Sequence, residues 1–136
     1  MEISPIKLPF NEKTFEVSIV GDTTGITWTG EFTCVCVPTM GQFASMEVFE
    51  KRLSNDLTTL SQNTVIFHRA ISQLKYRLKQ APEWWVSKNE GQDLLDTNVA
   101  YEVLSKCLEA EKAWRDAVKE SAKAKAEPTP TVTPTA

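Results

Sequence analysis

Along residues 15–20, Phe-Glu-Val-Ser-Ile-Val, apolar and polar side chains alternate, which predicts a strand with Phe15, Val17 and Ile19 on one face. Gly21-Asp22-Thr23-Thr24-Gly25 follows, with glycines free to take positive φ and an Asp able to bond its own backbone, the chemistry of a hairpin turn. From Ile26 the alternation resumes: Ile26, Trp28, Phe32, Cys34 and Cys36 share one face, and Thr27, Thr29, Glu31 and Thr33 the other. Gly30 interrupts the first face and marks a bulge or a close approach. Pro38 lacks a ladder donor and closes the strand. Upstream, Ile6, Leu8 and Phe10 alternate as well, but Pro5 and Pro9 restrict that segment to an edge strand or an extended arm.

After Pro38 the helical period takes over. Thr39-Met40-Gly41-Gln42 has the form of a capping box and predicts a helix from about residue 40. Phe43, Met46, Phe49, Leu53, Leu57 and Leu60 make its apolar stripe, with Glu47, Glu50, Lys51, Arg52 and Asp56 off it. A polar break from Thr58 to Asn63 precedes a second stripe, Phe67, Ala70, Ile71, Leu74 and Leu78, which Pro82 terminates; so short a break predicts an antiparallel helix pair. The segment from Glu83-Trp84-Trp85 through Ser87–Gly91 to Asp93-Leu94-Leu95-Asp96 reads as a long loop with a capping Asp at its end. A third helix then carries Val99, Val103, Leu104, Cys107, Leu108, Trp114, Ala117 and Val118 to about residue 120, supported by the pairs Glu102 with Lys106 and Glu111 with Arg115.

These elements predict an α+β fold: an N-terminal β-hairpin, with an edge strand allowed before it, packed on about three helices. Residues 1–122 form the single domain, β-rich over 1–38 and helical over 39–122. Residues 123–136 read as a disordered tail, Lys/Ala and then Pro/Thr, without core-forming pattern. With 136 residues there is chain for one core and too little for two ordinary domains. The 41% hydrophobic and 24% charged content is that of a folded protein. A net charge of −3 promises neither nucleic acid nor membrane by bulk attraction. The first residues do not have the pattern of a secretory signal, and no apolar run is long enough for a membrane span. Three cysteines, an odd and sparse set, point to reduced thiols and a cytoplasmic setting.

Candidate chemistry is thin. Cys34, Cys36, His68 and Cys107 supply zinc-ligand types, but a Cys-x-Cys pair in mid-strand lacks knuckle spacing, and buried core thiols are the plainer reading. The lone His68 has no nucleophile motif beside it. Asp93 and Asp96 precede a helix, where capping explains them better than acid and base roles. No nucleotide-binding glycine motif occurs. The expectation is a non-enzymatic protein without cofactor or metal.

Two features point to binding. Residues 64–80 contain Arg69, Lys75, Arg77 and Lys79 and no acid, a locally basic helix that suits phosphate or an acidic partner, or a solvated face balanced by the acids at 83, 90, 93 and 96. Adjacent Trp84 and Trp85 cannot both enter one core from a regular element, so at least one is expected at the surface, where Trp is enriched in binding hot spots. The alternative is that both wedge the loop onto the body.

Phe15-Glu16-Val17, the Thr-Gly-x-x-Trp-x-Gly-x-Phe pattern of 24–32, Ala81-Pro82-Glu83-Trp84-Trp85 and the Asp-Leu-Leu-Asp-x-Asn-Val pattern of 93–99 resemble small tailed-bacteriophage morphogenesis proteins, over roughly residues 14–118. Tail assembly chaperones are the nearest comparison and minor virion structural proteins the next. The first resemblance implies an adaptor in the host cytoplasm that binds tape-measure and tail tube subunits and is absent from the finished particle. The second implies a tail, connector or capsid-associated component of the virion that pairs strands with neighbouring subunits, homo-oligomers included. A nucleic-acid accessory protein using the basic helix is the third reading.

Overall fold

The structure, a computed structural model, describes residues 8–55 and 59–126. Alternation over 12–20 and 27–35 gives strands β1 (Glu12–Val20) and β2 (Thr27–Val35), paired antiparallel in unbroken register from Glu12 opposite Val35 to Val20 opposite Thr27. The turn between them closes as the sequence predicts: Gly21 N–H donates to Ile26 O at 2.8 Å, and Gly25 takes φ +74°. The inward face carries Phe15, Val17 and Ile19 opposite Phe32, Gly30 and Trp28. The other face is largely Thr, Glu and Ser and meets solvent apart from Thr33 and Val35.

Helix α1 (Met40–Ser54) starts with the expected capping box: Thr39 Oγ1 accepts from Gln42 N, and Gln42 Oε1 accepts from Thr39 N. Helix α2 (Gln62–Arg77) runs back along it, capped by Ser61. Only Met46 of the α1 stripe is buried, because α1 packs on α2 at the periphery and not on the sheet. Leu57 of that stripe lies outside the described residues.

Pro82 does not end the second helix. The chain leaves helical geometry at Leu78 and forms β3 (Leu78–Gln80), which pairs antiparallel with Thr33 and Cys34 and completes a sheet of order β1-β2-β3. The third strand therefore comes from the middle of the chain. Leu8 and Phe10 lie in no strand, and Ile6 is outside the described residues. A single-turn helix, α3 (Glu83–Val86), and a turn through Gly91 lead to α4 (Thr97–Ala126), which extends past the predicted boundaries at 120 and 122. The Pro/Thr segment 127–136 lies outside the described residues.

The core lies between the inward sheet face, α2 and α4. Phe32, Cys34, Ile71, Leu74, Val99, Val103 and Cys107 are each at most 1% exposed. Each large apolar side chain so buried contributes roughly 1.5–3 kcal/mol of transfer free energy. Around Phe32 stand Phe15 at 5.7 Å, Trp84 at 5.8 Å and Trp85 at 5.7 Å between ring centroids. Gly30 is flat because Pro82 and the Trp84 indole lie where its Cβ would be; the sequence expectation of close packing holds there.

Candidate partner-binding surface

The tryptophan pair serves mainly the interior. Trp85 is 2% exposed, its ring held between Phe32 and Gly91, whose φ of +89° brings backbone against the indole. Trp84 is half-buried: it packs on Trp28 at 4.9 Å and donates from Nε1 to Thr29 O at 2.8 Å, closing the loop over the β2 edge. The single helical turn of α3 aims the two rings at different parts of one aromatic cluster, which is how adjacent residues both pack.

The four basic residues do not form one face either. Arg69 pairs with Glu50 at 3.5 Å, Lys75 with Glu90 at 3.3 Å and Lys79 with Glu12 at 2.7 Å. The Arg77 side chain is 3% exposed and bonds Glu111 at 2.9 Å and Gln73 at 2.8 Å. Only Glu90 belongs to the acids expected to balance this helix; the other partners come from α1, β1 and α4. Each cation has a carboxylate beside it, so the phosphate-binding face expected from composition is largely neutralised.

Asp96 has the largest constellation of polar contacts. Fully buried just before α4, it accepts from Thr23 N and Thr24 N at 2.8 Å each through Oδ1, and from Thr24 Oγ1 at 2.6 Å and Trp28 Nε1 at 2.9 Å through Oδ2. Burial pushes its pKa up, but the Thr24 hydroxyl, the Trp28 indole and the two backbone donors outweigh that and hold it at about 2. Its carboxylate is thus spent on fastening the β1–β2 turn to the start of α4: its donors belong to Thr23, Thr24 and Trp28 and none is a helix N–H, so the side-chain cap expected of Asp96 is not formed. Gly21 is required because any Cβ would collide with this carboxylate. Asn98 adds a clasp, donating to Val20 O at 2.9 Å and accepting from Asp22 N at 3.0 Å.

Cys34, Cys36 and Cys107 are free, buried thiols. Cys107 is pushed up by its hydrogen bond to Cys34 and by burial, and Cys36 is raised by burial, so neither favours a reactive thiolate. His68 Nδ1 lies 3.4 Å from Ser54 Oγ, a long contact, and that hydroxyl donates to Glu50 O at 3.1 Å. Among the described residues no group of three or more His, Cys, Asp or Glu is placed to hold a metal, and no helix is long and apolar enough to cross a membrane.

What remains open lies elsewhere. A groove of about 520 Å³ runs between Pro9–Phe10, the first half of β1 and the middle of α4. Phe10, 78% exposed, and Trp114 stand at one end, with Trp114 Nε1 donating to Pro9 O at 3.1 Å. Phe15 and Cys36 line it from the sheet; Ala110, Ala113 and Ala117, three and four residues apart, keep the α4 side shallow. Beside the groove runs the outer edge of β1. Because Asn11 O accepts from Cys36 N, the odd-numbered residues of β1 face β2 in the ladder, and the N–H and C=O groups of Glu12, Thr14, Glu16 and Ser18 point outward. This surface is not among the expectations from sequence: Ala117 reads as part of the α4 stripe, and local pattern does not show which strand becomes the edge. The Ala110-x-x-Ala113-x-x-x-Ala117 spacing within an otherwise charged helical stretch was the available signal. A second groove, of about 560 Å³ between α1 and α2, is of mixed character, with Phe43 and Met46 beside Glu47, Glu50, Arg69 and Gln73 in its lining. Comparison with protein-family models, with curated proteins and with solved structures returns no match for this chain.

Proposed function

We propose that this chain is a non-enzymatic adaptor that captures other proteins, in the manner of a tail assembly chaperone holding tape-measure or tail tube subunits in the host cytoplasm before assembly. The observation that carries the adaptor reading is the open apolar groove beside β1: its lining of Phe10, Phe15, Cys36, Trp114 and the alanines of α4 is left uncovered by the described chain. The phage setting rests on the pattern resemblance of residues 14–118. The binding role moves from Trp84, Trp85 and the basic helix, which are largely occupied within the fold, to this groove.

The test compares wild type with Ala113→Phe, which fills the groove from an exposed helical position. Affinity capture from infected-cell lysate is expected to retain tape-measure or tube subunits with the wild type and to lose them with the variant, while mass spectrometry finds no copy in finished particles. Presence in particles at fixed stoichiometry refutes the chaperone role in favour of a virion component. Equal capture by both proteins refutes the groove.

A further inference from the structure

We infer that the groove takes an extended, proline-free segment of a partner protein, which adds to the free edge of β1 as a fourth strand. This inference rests on the adaptor reading and names its mode of binding.

Three observations specify the occupant. The first is the edge itself. Among the described residues, the nine residues of β1 pair along one side only, in regular register, with no proline or bulge in the strand to blunt the other side. The outward N–H and C=O groups of Glu12, Thr14, Glu16 and Ser18 recur every second residue, a spacing that another extended backbone matches and a helix does not. The second is the place of the groove, which adjoins this edge on the inward side of the sheet. A strand laid along β1 directs alternate side chains to that side, beside Phe15 and against Ala110, Ala113 and Ala117. The occupant is therefore apolar at alternate positions. The third is charge. Around the groove, Glu12 is taken by Lys79, and Lys106 lies 3.8 Å from Glu109. Lys13 has no carboxylate partner among the described residues, and its side chain faces the groove. An acidic residue in register with Lys13 completes the match.

A second copy of this chain fits less well. The antiparallel register that overlaps all nine residues of two β1 strands centres on Glu16 and sets the two Glu16 carboxylates opposite each other, which is destabilising.

The experiment uses the full chain and a fluorescein-labelled decapeptide alternating Val and Thr with one Asp, beside a twin N-methylated at alternate amides. Saturable anisotropy is expected for the first peptide and none for the twin, with slowed amide exchange at Thr14, Glu16 and Ser18. Glu16→Pro removes an outward N–H that makes no ladder bond, and is expected to weaken binding about threefold to tenfold; Ala113→Phe is expected to abolish it while circular dichroism stays unchanged. Equal binding of the N-methylated twin, or unchanged exchange at the even-numbered amides, overturns strand addition. So does a stable dimer of the free chain whose edge amides are already protected, since the occupant is then a second copy. If the peptide fails to bind while Ala113→Phe still releases captured proteins from lysate, strand addition falls and the adaptor reading stands; if Ala113→Phe retains them all, the groove reading falls as well.

Discussion

The buried Arg77 gives the sharpest test of how this fold uses charge. Its guanidinium is 3% exposed and holds two partners, the Glu111 carboxylate at 2.9 Å and the Gln73 amide oxygen at 2.8 Å. Glu111→Ala removes the only counter-charge that Arg77 has among the described residues and leaves a buried cation with one neutral acceptor. Orphaning such a charge costs roughly 3–5 kcal/mol. The Glu111 side chain is 18% exposed, so water can enter the vacated site, and the lower end, about 3 kcal/mol, is expected. For a domain of this size that is a fall in Tm of roughly 10–15 °C. Arg77→Met keeps much of the volume and removes the charge, while Glu111 retains Arg115 at 2.8 Å; its expected cost is below about 1.5 kcal/mol. The double variant should resemble Arg77→Met, a coupling of about 3 kcal/mol, the full cost of Glu111→Ala. Urea unfolding of all four proteins, followed by circular dichroism, measures the cycle. A Glu111→Ala cost below about 1 kcal/mol, or an Arg77→Met cost equal to Glu111→Ala, refutes the picture of Arg77 as a buried charge held by one counter-charge.

Three further outcomes follow from other contacts. Asp96 has a folded pKa of about 2, below its ordinary value, so its contribution is fully present above about pH 4 and is lost as pH falls through about 2; the gap in urea midpoint between wild type and Asp96→Asn should close over that range, and a pH-independent gap contradicts the assignment. Trp85→Ala, at a site 2% exposed, should cost roughly 3–5 kcal/mol or prevent folding, whereas Trp84→Ala should fold with the smaller loss of one hydrogen bond and its aromatic contacts; equal losses by thermal melting argue against it. Gly91→Ala combines a φ of +89° with a Cβ against the Trp85 ring and should cost at least about 2 kcal/mol, with a changed near-ultraviolet tryptophan spectrum; an unchanged spectrum and Tm dismiss the contact.

The sequence alone determined the local elements, because their signals are local. Period-two alternation marked β1 and β2, the glycines at 21 and 25 marked their turn, and Thr39 with Gln42 marked the start of α1. The α+β class followed from the order of those periods. Tertiary structure decided whatever depended on residues far apart in the chain. Leu78–Gln80 is too short to show a period and became β3 only because Thr33 and Cys34 offered an edge. Asp96 read as a helix cap because its local neighbours are helical, yet its carboxylate found donors 68 to 73 residues away. The basic run from Arg69 to Lys79 looked like one helical face until Lys79 fell in β3 and Glu50, Glu90, Glu111 and Glu12 arrived from other elements to neutralise it. The outer edge of β1 has no sequence signature of its own, and the alanine spacing of α4 becomes one wall of a groove only where that edge lies beside it. An edge is defined by the strand that does not come, and a groove by small side chains on a helix packed elsewhere, so both exist only once the chain has closed on itself.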